Sequence, residues 1–264
     1  MLSKLVALIT IIVIISLQAC SHSAPLYLIC LLDMSGSVET GAQVNQFEAL
    51  EPLFKQLKRG DTIIIIPITG DALIEAQGNI LRFRLSTKRS AYDGDLRRLR
   101  REAQERLRAL KEAAEVKPFT RTDLLGAVDV CAEELQAAPA GARKTVVVLS
   151  DFLQDDRQFK FTREPRLSTT TRSADFAKEL ARSRAALFNS ASVYLGFLRS
   201  EDLKRLPEAR RAAVRTFWIE YLRARGAASV SVSTDGTGQL ARFLERAQSD
   251  EARKAASARE EAGE

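Results

Sequence analysis

The 264-residue chain reads as an α/β protein. The expected architecture is one doubly wound, mostly parallel, six-stranded sheet with helices on both faces. Three observations give that reading. Short continuous apolar runs at Leu26–Leu32, Ile63–Ile66 and Thr145–Leu149 carry no polar alternation, as strands buried on both faces do. The segments between them repeat apolar residues at helical spacing, so strands and helices alternate. A 45% hydrophobic composition over this length supports one sizeable core, and no internal repeat is present.

Each element has its own warrant. Strand 1 ends at Leu32 and runs into Asp33, Ser35 and Ser37. Alternate residues of an extended chain point the same way, so one carboxylate and two hydroxyls converge beyond a buried strand end. Val44, Phe47, Leu50, Phe54 and Leu57 then predict a helix, kinked or started at Pro52 and ended by Gly60-Asp61. Strand 2, Ile63–Ile66, is closed by Pro67. Ile80–Leu85 alternates Leu81, Phe83 and Leu85 with Arg82 and Arg84, which predicts an edge strand with one wet face, paired to strand 2 as a hairpin. Tyr92–Val116 predicts a long helix with a stripe of Leu96, Leu99, Ala103, Leu107, Leu110 and Ala114. Pro118 breaks it. A Thr122 loop and a helix over Asp123–Leu135 follow.

Strand 4, Thr145–Leu149, ends in Ser150-Asp151. Phe152–Ser173 reads as irregular, with a small hairpin in DRQFKFTREPRLS. A long loop that begins at a functional position is expected to shape what reaches it. Ala174–Phe188 and Leu203–Arg225 read as helices, Ser192–Leu198 and Ala228–Ser233 as strands 5 and 6, and Gly238–Ala247 as the last helix. Trp218 lies on the apolar side of its helix and reads as core. The charged stretch from Ser249 reads as an exposed tail.

The ends of the chain read separately. Lys4 followed by the apolar run Leu5–Leu17 has the length of a signal-peptide core, giving a signal peptide over 1–19. Leu17-Gln18-Ala19-Cys20 resembles a bacterial lipobox, which implies cleavage before Cys20 and lipid on its sulfur. The expected organisation is therefore a lipidated Cys20 and linker at 20–24, a domain at 25–248, and a tail at 249–264. The protein is expected outside the cytoplasm, anchored at the cell envelope. Cys30 and Cys131 read as buried thiols; a disulfide between them requires the helix to lie directly over strand 1. No Cys or His spacing suggests zinc, and His22 reads as a bystander. Much of the net charge of +6 lies in Arg82–Arg108 and reads first as a solvated helix face; near a membrane it could instead favour anionic headgroups or acidic partners, and no nucleic-acid motif is present.

Asp33-x-Ser35-x-Ser37, Thr122 in RTDLLGA, and Asp151 in TVVVLSD together resemble the metal-ion-dependent adhesion site of von Willebrand factor A (vWA) domains. The resemblance covers Pro25 to Gln248. It implies strand order 3-2-1-4-5-6, with strand 3 antiparallel at the edge. It also implies that these five residues hold Mg²⁺, or Mn²⁺ or Ca²⁺, with serine and threonine hydroxyls ligating directly. A protein partner would complete the site with an Asp or Glu carboxylate. Asp123 would support the site from behind or cap its helix. Phe152, Asp155 and Asp156 are expected on a loop facing the partner. No catalytic residue is assigned and an enzyme is not expected. Two other readings stand. Asp33 with a later acidic pair is similar to haloacid-dehalogenase-like phosphohydrolases, although Ser35 occupies the general-acid position, where a hydroxyl serves poorly. The other is a scaffold with an unused metal site.

Overall fold

The computed structural model describes residues 24–35, 38, 50–70, 78–116 and 121–247. Cys20, His22, Ser37, the segment 1–19 and the tail from 249 lie outside the described residues.

At the centre is β1 (Leu26–Asp33), buried at every position. It pairs in parallel with β2 (Thr62–Ile68) on one side and β4 (Arg143–Ser150) on the other. The antiparallel β3 (Leu81–Arg84) closes one edge, while β5 (Ser192–Phe197) and β6 (Ser229–Ser233) extend the other in parallel. The order is β3-β2-β1-β4-β5-β6, as the resemblance to vWA domains implies. Both faces of the central strands are covered, which explains their unbroken apolar runs.

Alternation along the strands divides the core in two. Ile29, Leu31, Ile66, Val146 and Val148 face one layer, formed by α3 (Leu124–Gln136), α4 (Thr170–Arg182) and α6 (Glu208–Ala224). Leu28, Cys30, Leu32, Ile65 and Val147 face the other, formed by α1 (residues 50–56), α2 (Arg89–Val116) and α7 (residues 240–247). Cys30 and Cys131 fall in these opposite layers and are both free, so the disulfide does not form. On α2, Leu99, Ala103, Leu107 and Leu110 are buried, as the stripe requires.

Several boundaries differ from the expectation, and α4 also ends at Arg182 rather than Phe188. α4 starts at Thr170 rather than Ala174, because the Thr169 side chain accepts from the Arg172 N–H and caps a polar first turn. The expected 203–225 helix is two: α5 (Glu201–Arg205), capped by Ser200, and α6, which begins after Pro207. Proline lacks the N–H that would continue α5. The irregular stretch is correspondingly shorter and contains a 3₁₀ turn, Pro165–Leu167.

Candidate metal centre

The strand order reverses between β1 and β4, which run side by side to the same end of the sheet. In open α/β sheets this is the crevice where ligands bind. Asp33 closes β1 there, fully buried. Its Oδ2 accepts from Ser150 Oγ at 2.5 Å, and its Oδ1 accepts from the Ser35 N–H at 2.9 Å. Burial pushes the Asp33 carboxyl above the ordinary aspartate range, and the Ser150 and Ser35 donors pull the other way.

Asp151, the next residue after β4, is also fully buried. Its Oδ1 accepts from the Leu153 N–H at 2.9 Å, which fixes the turn that follows. Thr122 is 3% exposed and is tied to the Asp151 loop by reciprocal backbone bonds with Asp155, at 2.9 and 3.0 Å. The Asp123 N–H donates to the Thr69 carbonyl at 3.0 Å, one residue past Ile68, which opposes Asp33 in the sheet. Asp33, Ser35, Thr122 and Asp151 are therefore carried to one edge by β1, β4 and the start of α3. Ser37 lies outside the described residues.

Asp123 is the N-cap of α3: its side chain accepts from the Gly126 N–H. Phe152 does not face a partner. It is fully buried, at φ +62°, with its ring centroid 4.3 Å from that of Phe197 and 6.0 Å from that of Trp218. Trp218 Nε1–H donates to its carbonyl at 3.0 Å, so Trp218 is core and anchors the loop. The backbone turn at Phe152 directs the ring inward, which no local sequence pattern reveals. Asp155 and Asp156 are half-buried. Asp155 receives Lys160 Nζ at 2.6 Å, and Asp156 closes its own turn by accepting from the Gln158 N–H at 2.7 Å.

Two residues have roles that sequence reasoning missed. Ser150 Oγ links the two strands, donating to Asp33 and accepting from the Phe152 N–H at 2.9 Å. Gln154 is fully buried. Its Oε1 accepts from the Leu125 N–H at 2.8 Å, and its Nε2 donates to Asp156 at 2.7 Å and Asp123 at 3.3 Å. It fastens the loop after Asp151 to the helix after Thr122. Neither stands out locally: Ser150 ends an apolar run beside Asp151, and Gln154 lies among Asp151, Asp155 and Asp156.

Among the described residues no three His, Cys, Asp or Glu side chains gather as a metal cage. The donors at this edge are instead two carboxylates with serine and threonine hydroxyls. All are oxygen, the set a hard divalent cation takes, so these residues fit such an ion.

No protein-family model matches the chain, and a search of curated proteins finds no match. Solved structures of similar shape include manganese-loaded TRAP protein of Plasmodium vivax, with TM-score 0.44 and 12% identity over 86% of this chain and 74% of that one. The pilus adhesin SpaC of Lactobacillus rhamnosus GG, in its open conformation, gives TM-score 0.46 and 12% identity. That alignment covers 87% of this chain and 30% of the adhesin. Among the described residues no helix is long and apolar enough to cross a membrane.

Proposed function

We propose that this chain is a vWA-type binding domain, exported and held at the cell envelope by lipid on Cys20. Asp33, Ser35, Ser37, Thr122 and Asp151 would hold Mg²⁺ or Mn²⁺. The observation that carries the reading is the burial of Asp33 and Asp151, with Ser35 and Thr122 beside them, where the strand order reverses. Burying carboxylates is costly unless a cation or donors answer them.

The bound cation would supply an electrophilic position for an Asp or Glu carboxylate of a protein partner. The chain's own contribution is placement. Ser150 and the Ser35 N–H orient Asp33, the Leu153 N–H orients Asp151, and the Thr122–Asp155 bonds hold the third loop against the second. Binding of this kind needs no residue to move a proton, and the reading assigns no reaction. Asp155 and Asp156, which a phosphohydrolase would need for its metal, are engaged with Lys160 and with their own turn.

Calorimetric titration of Mg²⁺ and Mn²⁺ into the full-length chain tests the reading. Saturable binding is expected, lost in Asp33→Ala and in Asp151→Ala while both variants keep a cooperative melt. Equal heats from all three proteins, or none from the native chain, would leave the scaffold reading in its place.

A further inference from the structure

Beyond the ends of β5 and β6 lies a cleft whose chemistry the metal centre does not use. About 190 Å³ opens beside α5 and α6, lined by Phe197, Leu198 and Leu203 and by Arg199, Lys204, Arg211 and Arg215. Its place relative to Asp33 follows from hydrogen bonds. The Leu198 N–H donates to the Ser150 carbonyl at 2.8 Å, and Ser150 Oγ donates to Asp33. Phe197 opposes Ser150 in the sheet. Neighbouring strands lie about 4.8 Å apart, so the apolar lining begins about 10 Å from Asp33. Val38, the first described residue after Ser37, bridges Ser200 on the rim of this cleft.

The charge balance is lopsided. Glu201 pairs with Lys204 at 3.0 Å, and Glu208 with both Arg211 and Arg215 at 2.8 Å. Among the described residues the cleft's lining carries four cationic side chains and no carboxylate. Arg199 is exposed and forms no ion pair among the described residues. Solvent-exposed pairs of this kind contribute little and exchange readily for a competing carboxylate.

We propose that this cleft recognises an acidic polypeptide segment carrying a large apolar side chain. The proposal rests on the cation-dependent reading above: one carboxylate of the segment sits beside Asp33, and its neighbours reach the cleft. An extended chain rises about 3.3 Å per residue, so residues about three positions away span that distance. Their carboxylates meet Arg199 and Arg215, and the apolar side chain covers Phe197, Leu198 and Leu203. Charge complementarity selects this occupant.

A displayed library of random peptides, selected on the full-length chain in magnesium, tests the assignment. The native chain is expected to enrich peptides with a carboxylate, then further acidic and apolar residues about three positions on. Affinity for the enriched peptides should fall about tenfold or more in the doubly substituted Arg199→Glu/Arg215→Glu chain, and less in the Gln pair, while magnesium dependence persists. Persistence also shows that the variants are folded. Unchanged affinity in both pairs overturns the cleft and leaves the cation reading intact. Acidic-apolar peptides that bind equally well in chelator keep the cleft and overturn the cation reading. An empty selection on the native chain overturns both, and inorganic polyphosphate competing as well as the best peptide overturns the polypeptide assignment.

Discussion

The two loops that deliver the buried carboxylates are rooted in different layers. After Asp33 the chain turns into the aliphatic layer, where Met34 and Val38 pack with residues of α1 and β2. After Asp151 it turns into the aromatic layer, where Phe152 and Leu153 join Phe161, Phe176, Phe197, Phe217 and Trp218. The second loop is also cross-braced by Trp218 and Gln154 side chains. The first is braced at the Asp33 carboxylate itself, through Ser35 and Ser150, and by the Met34 N–H on the Ile68 carbonyl. One half of the site is a fixed wall, then, and the other is held by the group that would meet the cation.

That contrast predicts a ranking. Phe152→Ala should cost the most, about 3–5 kcal/mol in denaturant unfolding, because a fully buried ring leaves a cavity among other rings. Phe152→Gly should be no worse, since glycine relieves a left-handed backbone that costs a side chain about 1 kcal/mol. Met34→Ala should cost less, about 2 kcal/mol, because a smaller, flexible side chain is removed. A larger loss for Met34→Ala than for Phe152→Ala would break the comparison. Gln154→Ala should cost about 1–2 kcal/mol by leaving the Leu125 N–H without its acceptor. It should also weaken Mg²⁺ binding in the calorimetric assay; a stability loss with unchanged metal affinity would show that the brace serves the fold alone.

The smallest effect appears only in alkali. Burial pushes the Tyr221 hydroxyl up to about 12, against the pull of Arg225. Below pH 10 the group is neutral in both the folded and the unfolded chain. Between pH 10 and about 12 the unfolded chain releases the proton first, so stability falls through that window. Tyr221→Phe should flatten that part of the fall in melting temperature measured across the same range. An identical fall in the variant would place the alkaline sensitivity elsewhere.

The strands were legible in the sequence because burial on both faces removes polar residues from the whole run, as in Leu26–Leu32. The long helix was legible because its stripe from Leu96 to Leu110 repeats at one period. The start of α4 was not, since Thr170–Arg172 form an exposed polar turn whose only mark is the Thr169 cap. The break at Pro207 is marked by the proline itself, but the apolar pattern continues on either side of it. Asp33 and Ser35 stand out by alternation past a buried strand end, whereas Thr122 and Asp151 are reached only through the resemblance to the vWA adhesion site. Ser150 and Gln154 act through sheet register and loop crossing, which link residues 117 and 29 positions apart. No local spacing encodes contacts of that separation.

The middle strand also has a mechanical meaning. Leu26 and Asp33 lie at opposite ends of β1, about 23 Å apart at the usual rise per residue. A tether preceding Ala24 and a ligand seated beside Asp33 would pull along one line through the sheet. That load would run through the covalent backbone of β1, and the share entering at Asp151 would cross to it through the β1–β4 ladder in shear. At the Leu26 end, Arg143 reinforces the grip, its backbone N–H on the Pro25 carbonyl and its Nε on the Ala24 carbonyl. Under such a load the strand that carries Asp33 would be the molecule's tension member.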